Sequence, residues 1–146
     1  MAQFHFSLEK ILRWRAVELT REEAKLQRLI QEKGRVEAML ARIQNERSSL
    51  PASVSVLPGL QGSDLRAAAA YSLRLRQEIE KLIETRARLQ DSLAAQQKKF
   101  AAAKLRLKLL EELKARRLER WQYEEARELE TLAAESYLAG WNRDQS

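Results

Sequence analysis

Few side chains in this sequence could support catalysis. The chain has one histidine, His5, and no cysteine. A lone histidine cannot form a catalytic dyad or triad, so we expect it in an N-terminal cap. The glutamate pairs Glu22–Glu23 and Glu124–Glu125 are expected to be solvated on helix faces, without the cleft that acid–base work needs. With no glycine-rich phosphate loop either, the sequence predicts a protein that is not an enzyme and holds no cofactor or metal ion.

The rest of the composition is typical of long helices. Ala, Glu, Lys, Leu and Arg supply 90 of the 146 residues, with 4 Gly and 2 Pro. No stretch approaches the roughly 18 apolar residues that a membrane span needs. We therefore expect a cytoplasmic all-α protein without membrane insertion, and a peripheral role at a membrane remains open.

Charge is unevenly placed along the chain, whose net charge is +6. Residues 98–120 hold nine basic and three acidic residues, whereas residues 124–135 hold five acidic residues and Arg127. Such a pattern can steer a charged partner, and a basic segment can also contact nucleic-acid phosphates. Glutamates interrupt the basic segment, so its charges are explained as those of a solvated helix surface. No nucleic-acid partner is therefore expected.

Turn and capping residues predict two helices, at about 7–50 and 65–139, joined by a loop at about 51–64. Ser7 is the expected N-cap of the first helix, with Phe6 and Ile11 forming a hydrophobic staple. Pro51 is expected to end that helix because proline lacks an amide hydrogen.

Capping and terminating residues also predict the two ends of the second helix. Ser63 or Asp64 is the expected N-cap, and Gly140 the expected terminator. An apolar cluster at the loop is either folded onto the helices or a contact site; it comprises Val54, Val56, Leu57 and Leu60.

Apolar residues recur at alternating spacings of three and four in both helices, which is the seam of a coiled coil. The first seam is Leu8, Leu12, Arg15, Leu19, Glu22, Leu26, Leu29, Lys33, Val36, Leu40, Ile43, Arg47 and Leu50. The second is Leu65, Ala68, Ser72, Leu75, Ile79, Leu82, Arg86, Leu89, Leu93, Gln96, Phe100, Ala103, Leu107 and Leu110. The predicted fold is a single antiparallel coiled-coil hairpin, and a parallel dimer of unfolded rods also fits the seams.

A register with Leu50 opposite Leu65 places Leu8 opposite Leu107. Beyond about Leu110 the longer second helix would then have no partner within the chain. The seam is also expected to fail at Lys114 and Arg117, because both are charged.

Aromatic residues concentrate in the terminal segments of the sequence. They are Phe4, Phe6 and Trp14 on one side and Trp121, Tyr123, Tyr137 and Trp141 on the other. A hairpin brings the two sets to one end. There they either pack on each other or present a binding site, because Trp and Tyr are enriched in interface hot spots.

The N-terminal pattern F-x-F-x-L-x-x-I-L-x-x-R (Phe4 to Arg15) resembles the start of the FliJ family. Residues 110–135, with a basic L-K-x-R-R segment before an acidic one, are similar to that family's C-terminal pattern. The resemblance implies a two-helix antiparallel coiled coil of a flagellar type III export apparatus, peripheral to the inner membrane. Such a stalk binds the hexameric export ATPase FliI, promotes its assembly and activity, and links it to the gate protein FlhA, with FliH and export chaperones as further partners.

The resemblance also implies two contact regions. The ATPase-facing residues would be Phe4, Phe6, Arg13, Trp14, Arg15, Arg116, Arg117, Arg120, Trp121 and Tyr123. The gate-facing residues would be Met39, Arg42, Glu46, Leu75, Ile79, Leu82 and Arg86. Leu75, Ile79 and Leu82 are also seam positions, which conflicts with a role in facing a partner. The alternatives to this function are a generic coiled-coil adaptor, an injectisome stalk protein and a nucleic-acid-binding helical hairpin.

Overall fold

The fold consists of two α-helices that pack against each other, as the sequence predicts. The computed structural model describes residues 3–55, 59 and 61–145. Helix α1 is Glu9–Ser55, with 47 residues, and helix α2 is Gly62–Gln145, with 84 residues. In the described part of the chain, neither helix has a stretch apolar and long enough to cross a membrane. The tip cluster of Val54, Val56, Leu57 and Leu60 lies outside the residues whose side chains are described.

The start of α1 lies two residues beyond the predicted N-cap. The Phe6 carbonyl accepts a bond from the Glu9 amide at 3.1 Å, and the Leu8 carbonyl accepts the first α-helical bond, from Leu12, at 2.9 Å. The Ser7 hydroxyl accepts a hydrogen bond from Arg117 at 3.1 Å. Glu9 occupies the first turn, where the helix dipole favours a carboxylate.

The start of α2 has half of a capping box. The Gln61 carbonyl accepts bonds from the amides of Asp64 and Leu65, at 3.1 and 3.2 Å. The Asp64 carboxylate accepts a hydrogen bond from the Gln61 amide at 3.1 Å. Asp64 therefore caps the helix from its third position, while Gln61 is the flanking residue.

Two predicted helix ends are wrong. Helix α1 continues through Pro51 to Ser55, although proline cannot donate the bond to the carbonyl four residues earlier. The missing donor and the ring cost stability, and the helix does end within about one turn of Pro51. Gly140 lies inside α2 because glycine permits a terminator conformation but does not impose one.

The predicted seams are the faces that the helices bury. All thirteen positions predicted for the first seam are buried or half-buried, and so are thirteen of the fourteen predicted for the second. The exception is the exposed Leu65, near the start of α2. The seam face of each helix is thus fixed by its three–four spacing.

The chain divides into two compact units. Residues Thr20–Ala101 form the hairpin unit, and Met1–Leu19 with Ala102–Ser146 form the terminal unit. The hairpin unit has an aliphatic core of Leu40, Ile43, Leu75 and Ile79, with Leu82 packed against it.

Polar contacts in the hairpin unit fix an antiparallel register. The Tyr71 hydroxyl donates to the Glu46 carboxylate. The Gln96 side chain donates to the Glu22 carbonyl at 3.1 Å and also to the Glu22 carboxylate. Both pairs are shifted by two to three residues from the predicted register. The helices of one chain pack on each other, so the alternative of an unfolded rod is wrong.

A terminal aromatic and arginine cluster as a candidate interface

The N-terminal segment and α2 meet in the terminal unit to form what we call the terminal cluster. It comprises Phe4, Phe6, Glu9, Lys114, Arg117 and Trp121. Its register differs from the prediction, which placed Arg106 opposite Glu9. The observed partner of Glu9 is Lys114, at 2.9 Å. Helix α2 thus has an intrachain partner well beyond Leu110, and the expected early overhang is wrong.

Rings and a guanidinium group organise the centre of the cluster. The rings of Phe4 and Trp121 lie 5.9 Å apart and are inclined at 56°, within the range of favourable aromatic pairs. Phe6 is buried, and the Arg117 guanidinium lies 5.6 Å from the centre of its ring. The same arginine donates to Ser7, so one side chain contacts both Phe6 and Ser7, shortly before the start of α1.

Lys114 and Arg117 occupy the positions where the sequence predicts that the seam fails. Both continue the three–four spacing from Leu110, and the spacing next reaches the half-buried Trp121. Their positive charges contact Glu9 and the face of Phe6 instead of an aliphatic layer. The predicted seam failure is therefore wrong at Lys114, which is half-buried and paired with a carboxylate. Arg117 is exposed and the half-buried residue beside it is Leu118, so the seam does change at that position.

A second group of side chains lies farther along α1. The Arg15 guanidinium is 4.6 Å from the centre of the Trp14 ring and 2.8 Å from the Glu18 carboxylate. Arg106 reaches the other oxygen of Glu18 at 3.3 Å. Trp14 itself is 55% exposed, so one of its faces carries an arginine while much of the ring contacts solvent.

The remaining predicted ATPase-facing residues lie on the surface. Arg13 is exposed and 3.9 Å from Glu9, and Arg120 is exposed and 3.2 Å from Glu124. Arg116 is also exposed, and Tyr123 is 64% exposed with Arg127 near its ring. The structure thus brings Phe4 to Trp121 and Phe6 to Arg117, and leaves Trp14 and Tyr123 accessible.

Sequence reasoning missed the ionic members of this site. Glu9 and Lys114 were not predicted as site residues, nor were Glu18, Arg106 and Arg127. Continuing the seam spacing through residue 114 would have identified Lys114, and a carboxylate on the facing helix would then have been the expected partner.

The predicted gate-facing residues divide between the core and the surface. Leu75 and Ile79 are buried, and Leu82 packs against them, so a partner could reach these three only if the helices separated. The remaining four are Met39, Arg42 and Glu46, which are exposed, and Arg86, which is half-buried. Of these, the three α1 residues each precede a seam position and therefore share one edge of the helix. The hydrogen bond to Glu46 raises the pKa of the Tyr71 hydroxyl beside that edge.

Comparison with known proteins identifies no relative. No protein-family model matches the chain, no curated protein matches it, and no solved structure matches it. The function is therefore inferred from the residues described above, together with the FliJ resemblance of the sequence.

Proposed function

We propose that this chain is a stalk-like component of a flagellar type III export apparatus, whose terminal cluster binds the ring of the export ATPase FliI. The observation that supports this proposal is the meeting of aromatic and arginine side chains in the terminal unit, with Trp14 and Tyr123 left exposed beside them. Residues of these types contribute most strongly to protein interfaces.

The cluster is suited to binding because its members are already held in place. Phe4 packs on Trp121, and Arg117 is held by Ser7 and the ring of Phe6. Ordered side chains lose less conformational entropy when a partner covers them. The exposed faces of Trp14 and Tyr123 supply apolar area that a ring subunit would bury.

The proposed mechanism is physical rather than chemical. A helical stalk that contacts the subunits of a ring unequally favours some subunit conformations over others, and so promotes assembly and hydrolysis. The exposed edge of Met39, Arg42 and Glu46 would contact the gate protein FlhA, at the cytoplasmic side of the inner membrane. FliH and export chaperones would be further partners.

The test combines the purified chain with the export ATPase of the same organism at low salt. ATP hydrolysis and the ATPase oligomer size are measured together. We expect the chain to stimulate hydrolysis and to shift the ATPase toward a ring. The double variant Trp14→Ala/Tyr123→Ala should raise the concentration of the chain needed for half-maximal stimulation by about tenfold or more, because interface hot spots are lost.

The matched control is Leu73→Ala, which removes an exposed apolar side chain of the hairpin unit. It should stimulate hydrolysis as the original chain does. Absence of both stimulation and ring association at low salt would contradict the proposal. Equal losses in the control and the double variant would show that the exposed aromatic residues beside the terminal cluster are not the contact site.

A generic adaptor and an injectisome stalk predict other partners. Flagellar genes beside the gene for this chain would support the proposal, whereas injectisome genes would assign the same stalk role to the other secretion system. Neither kind of gene beside it would favour the adaptor.

A further inference from the structure

The buried face of α2 continues beyond the terminal cluster. Within the terminal unit, the half-buried residues of this face include Leu118, Trp121 and Glu125. The same three–four spacing next reaches Leu129 and Leu132, which therefore lie on that face of the helix. They are 49% and 60% exposed.

Exposure begins directly after Trp121 on α2. Phe4 packs on Trp121, and from residue 122 to residue 145 every position except Glu125 and Gly140 is exposed. A seam that is covered up to Trp121 thus continues uncovered along the same helix. We call residues 125–136 of this face the distal stripe.

The two edges of the distal stripe differ in charge. Glu128 and Glu135 lie one heptad apart along one edge, and Ala126 and Ala133 lie one heptad apart along the other. Residues 124–135 hold five glutamates against Arg127. After Glu125, the centre of the stripe is therefore formed by Leu129 and Leu132, with glutamates along one edge and small alanines along the other.

We propose that the distal stripe docks a basic amphipathic helix of another protein, which continues the coiled-coil seam beyond Phe4. Aliphatic residues of that helix pack on Leu129 and Leu132, and its lysine or arginine residues pair with Glu128 and Glu135. Small Ala126 and Ala133 let the partner backbone approach closely. A second copy is a poor occupant because its own stripe carries the same glutamates, at Glu125, Glu128 and Glu135, and like charges brought together repel one another.

This inference goes beyond the proposed function, because it concerns a different surface and requires no ATPase. The probe is a synthetic peptide of three heptads with leucine at both seam positions and lysine or arginine at the flanking positions. A second peptide has the same seam with glutamate at the flanking positions. Binding of each labelled peptide to the full chain is measured by fluorescence anisotropy at low and high salt.

The basic peptide should bind, and the acidic peptide should bind at least about tenfold more weakly, because only the former pairs with the glutamate edge. The double variant Leu129→Ala/Leu132→Ala should weaken basic-peptide binding by about tenfold or more. Leu138→Ala is the matched control, since it removes an exposed leucine half a turn away from Leu129 around the helix. It should change the affinity by less than about twofold.

Both variants should retain the helix content of the original chain, since alanine has the highest helix propensity. Circular dichroism verifies this before binding is compared. The proposal is overturned if neither peptide binds, if the double variant and Leu138→Ala lose affinity equally, or if basic-peptide binding survives removal of both leucines. It is also overturned if sedimentation shows that the chain dimerises and that Leu129→Ala/Leu132→Ala abolishes the dimer.

Discussion

The hairpin unit and the terminal unit pair the same two helices by different chemistry. In the hairpin unit, aliphatic side chains around Leu40 and Ile79 form the buried core. In the terminal unit, the buried and half-buried seam residues are accompanied by a ring pair, two ion pairs between the helices and an arginine over an aromatic face. Both units bury apolar residues, but the aliphatic core cluster lies in the hairpin unit, whereas the aromatic and ionic contacts are concentrated in the terminal unit.

The difference indicates separate roles for the two regions. Aliphatic burial is non-directional and is not screened by salt, so it suits a region that has only to hold two helices together. Partly exposed charge contacts contribute little stability and are screened by salt. Their value in the terminal unit is to hold the aromatic and arginine side chains in place at a surface.

The largest expected effect comes from breaking the aliphatic core. Ile79 is 8% exposed and Ile83 is 40% exposed, four residues apart on α2. Ile79→Ala should lower the free energy of unfolding by about 2–4 kcal/mol, because it leaves a cavity in the core. Ile83→Ala should cost less than about 1 kcal/mol. Urea unfolding followed by circular dichroism measures both, and equal costs would contradict the assignment of the core.

A smaller effect is expected for the Glu9–Lys114 ion pair. Its side chains are 31% and 37% exposed. A double-mutant cycle with Glu9→Ala and Lys114→Ala should give a coupling of about 0.5–1 kcal/mol at low salt. The coupling should fall at about 1 M salt, where charges are screened within about 3 Å. The cost of Ile79→Ala should persist at that salt concentration, and a salt-independent coupling would remove the contrast between the units.

The smallest expected effect is on the pH dependence of stability, through the carboxyl group of Glu22. The hydrogen bond from Gln96 is the main cause that lowers the pKa of Glu22 below its ordinary value of 4.5. Because the folded pKa is depressed, this contribution to stability is present above pH 4.5 and is lost as the pH falls through the folded pKa.

Side-chain NMR of the Glu22 carboxyl tests this origin. Gln96→Leu should move its pKa up toward 4.5 or beyond, because the donor is lost. Gln97→Leu, at the exposed neighbouring position, should leave the pKa where it was. An unchanged pKa in Gln96→Leu would mean that the hydrogen bond does not lower it.

The sequence predicted well which residues are buried. The spacing of residues such as Leu12, Leu26 and Val36 selects one face of α1, and that face is half-buried or buried throughout. Even the polar seam members Arg15, Glu22 and Lys33 were placed on the correct face. A side chain's direction follows from its position along a helix, whatever its chemistry.

The sequence predicted poorly where the helices stop and how they align. Pro51 and Gly140 both lie inside helices, since each residue weakens a helix without excluding it. The charge of Lys114 predicts a break in the seam, and its partner Glu9 can be identified only once the register is known.

By itself the sequence determined two long helices, the face that each one buries, and the enrichment of aromatic residues near both termini. These follow from composition and from a periodicity that is local to each helix. Only the tertiary structure decided the register and the membership of the terminal cluster. A heptad pattern looks the same after a slip along the helix, so the alignment depends on individual cross-helix pairs such as Glu22–Gln96 and Glu9–Lys114.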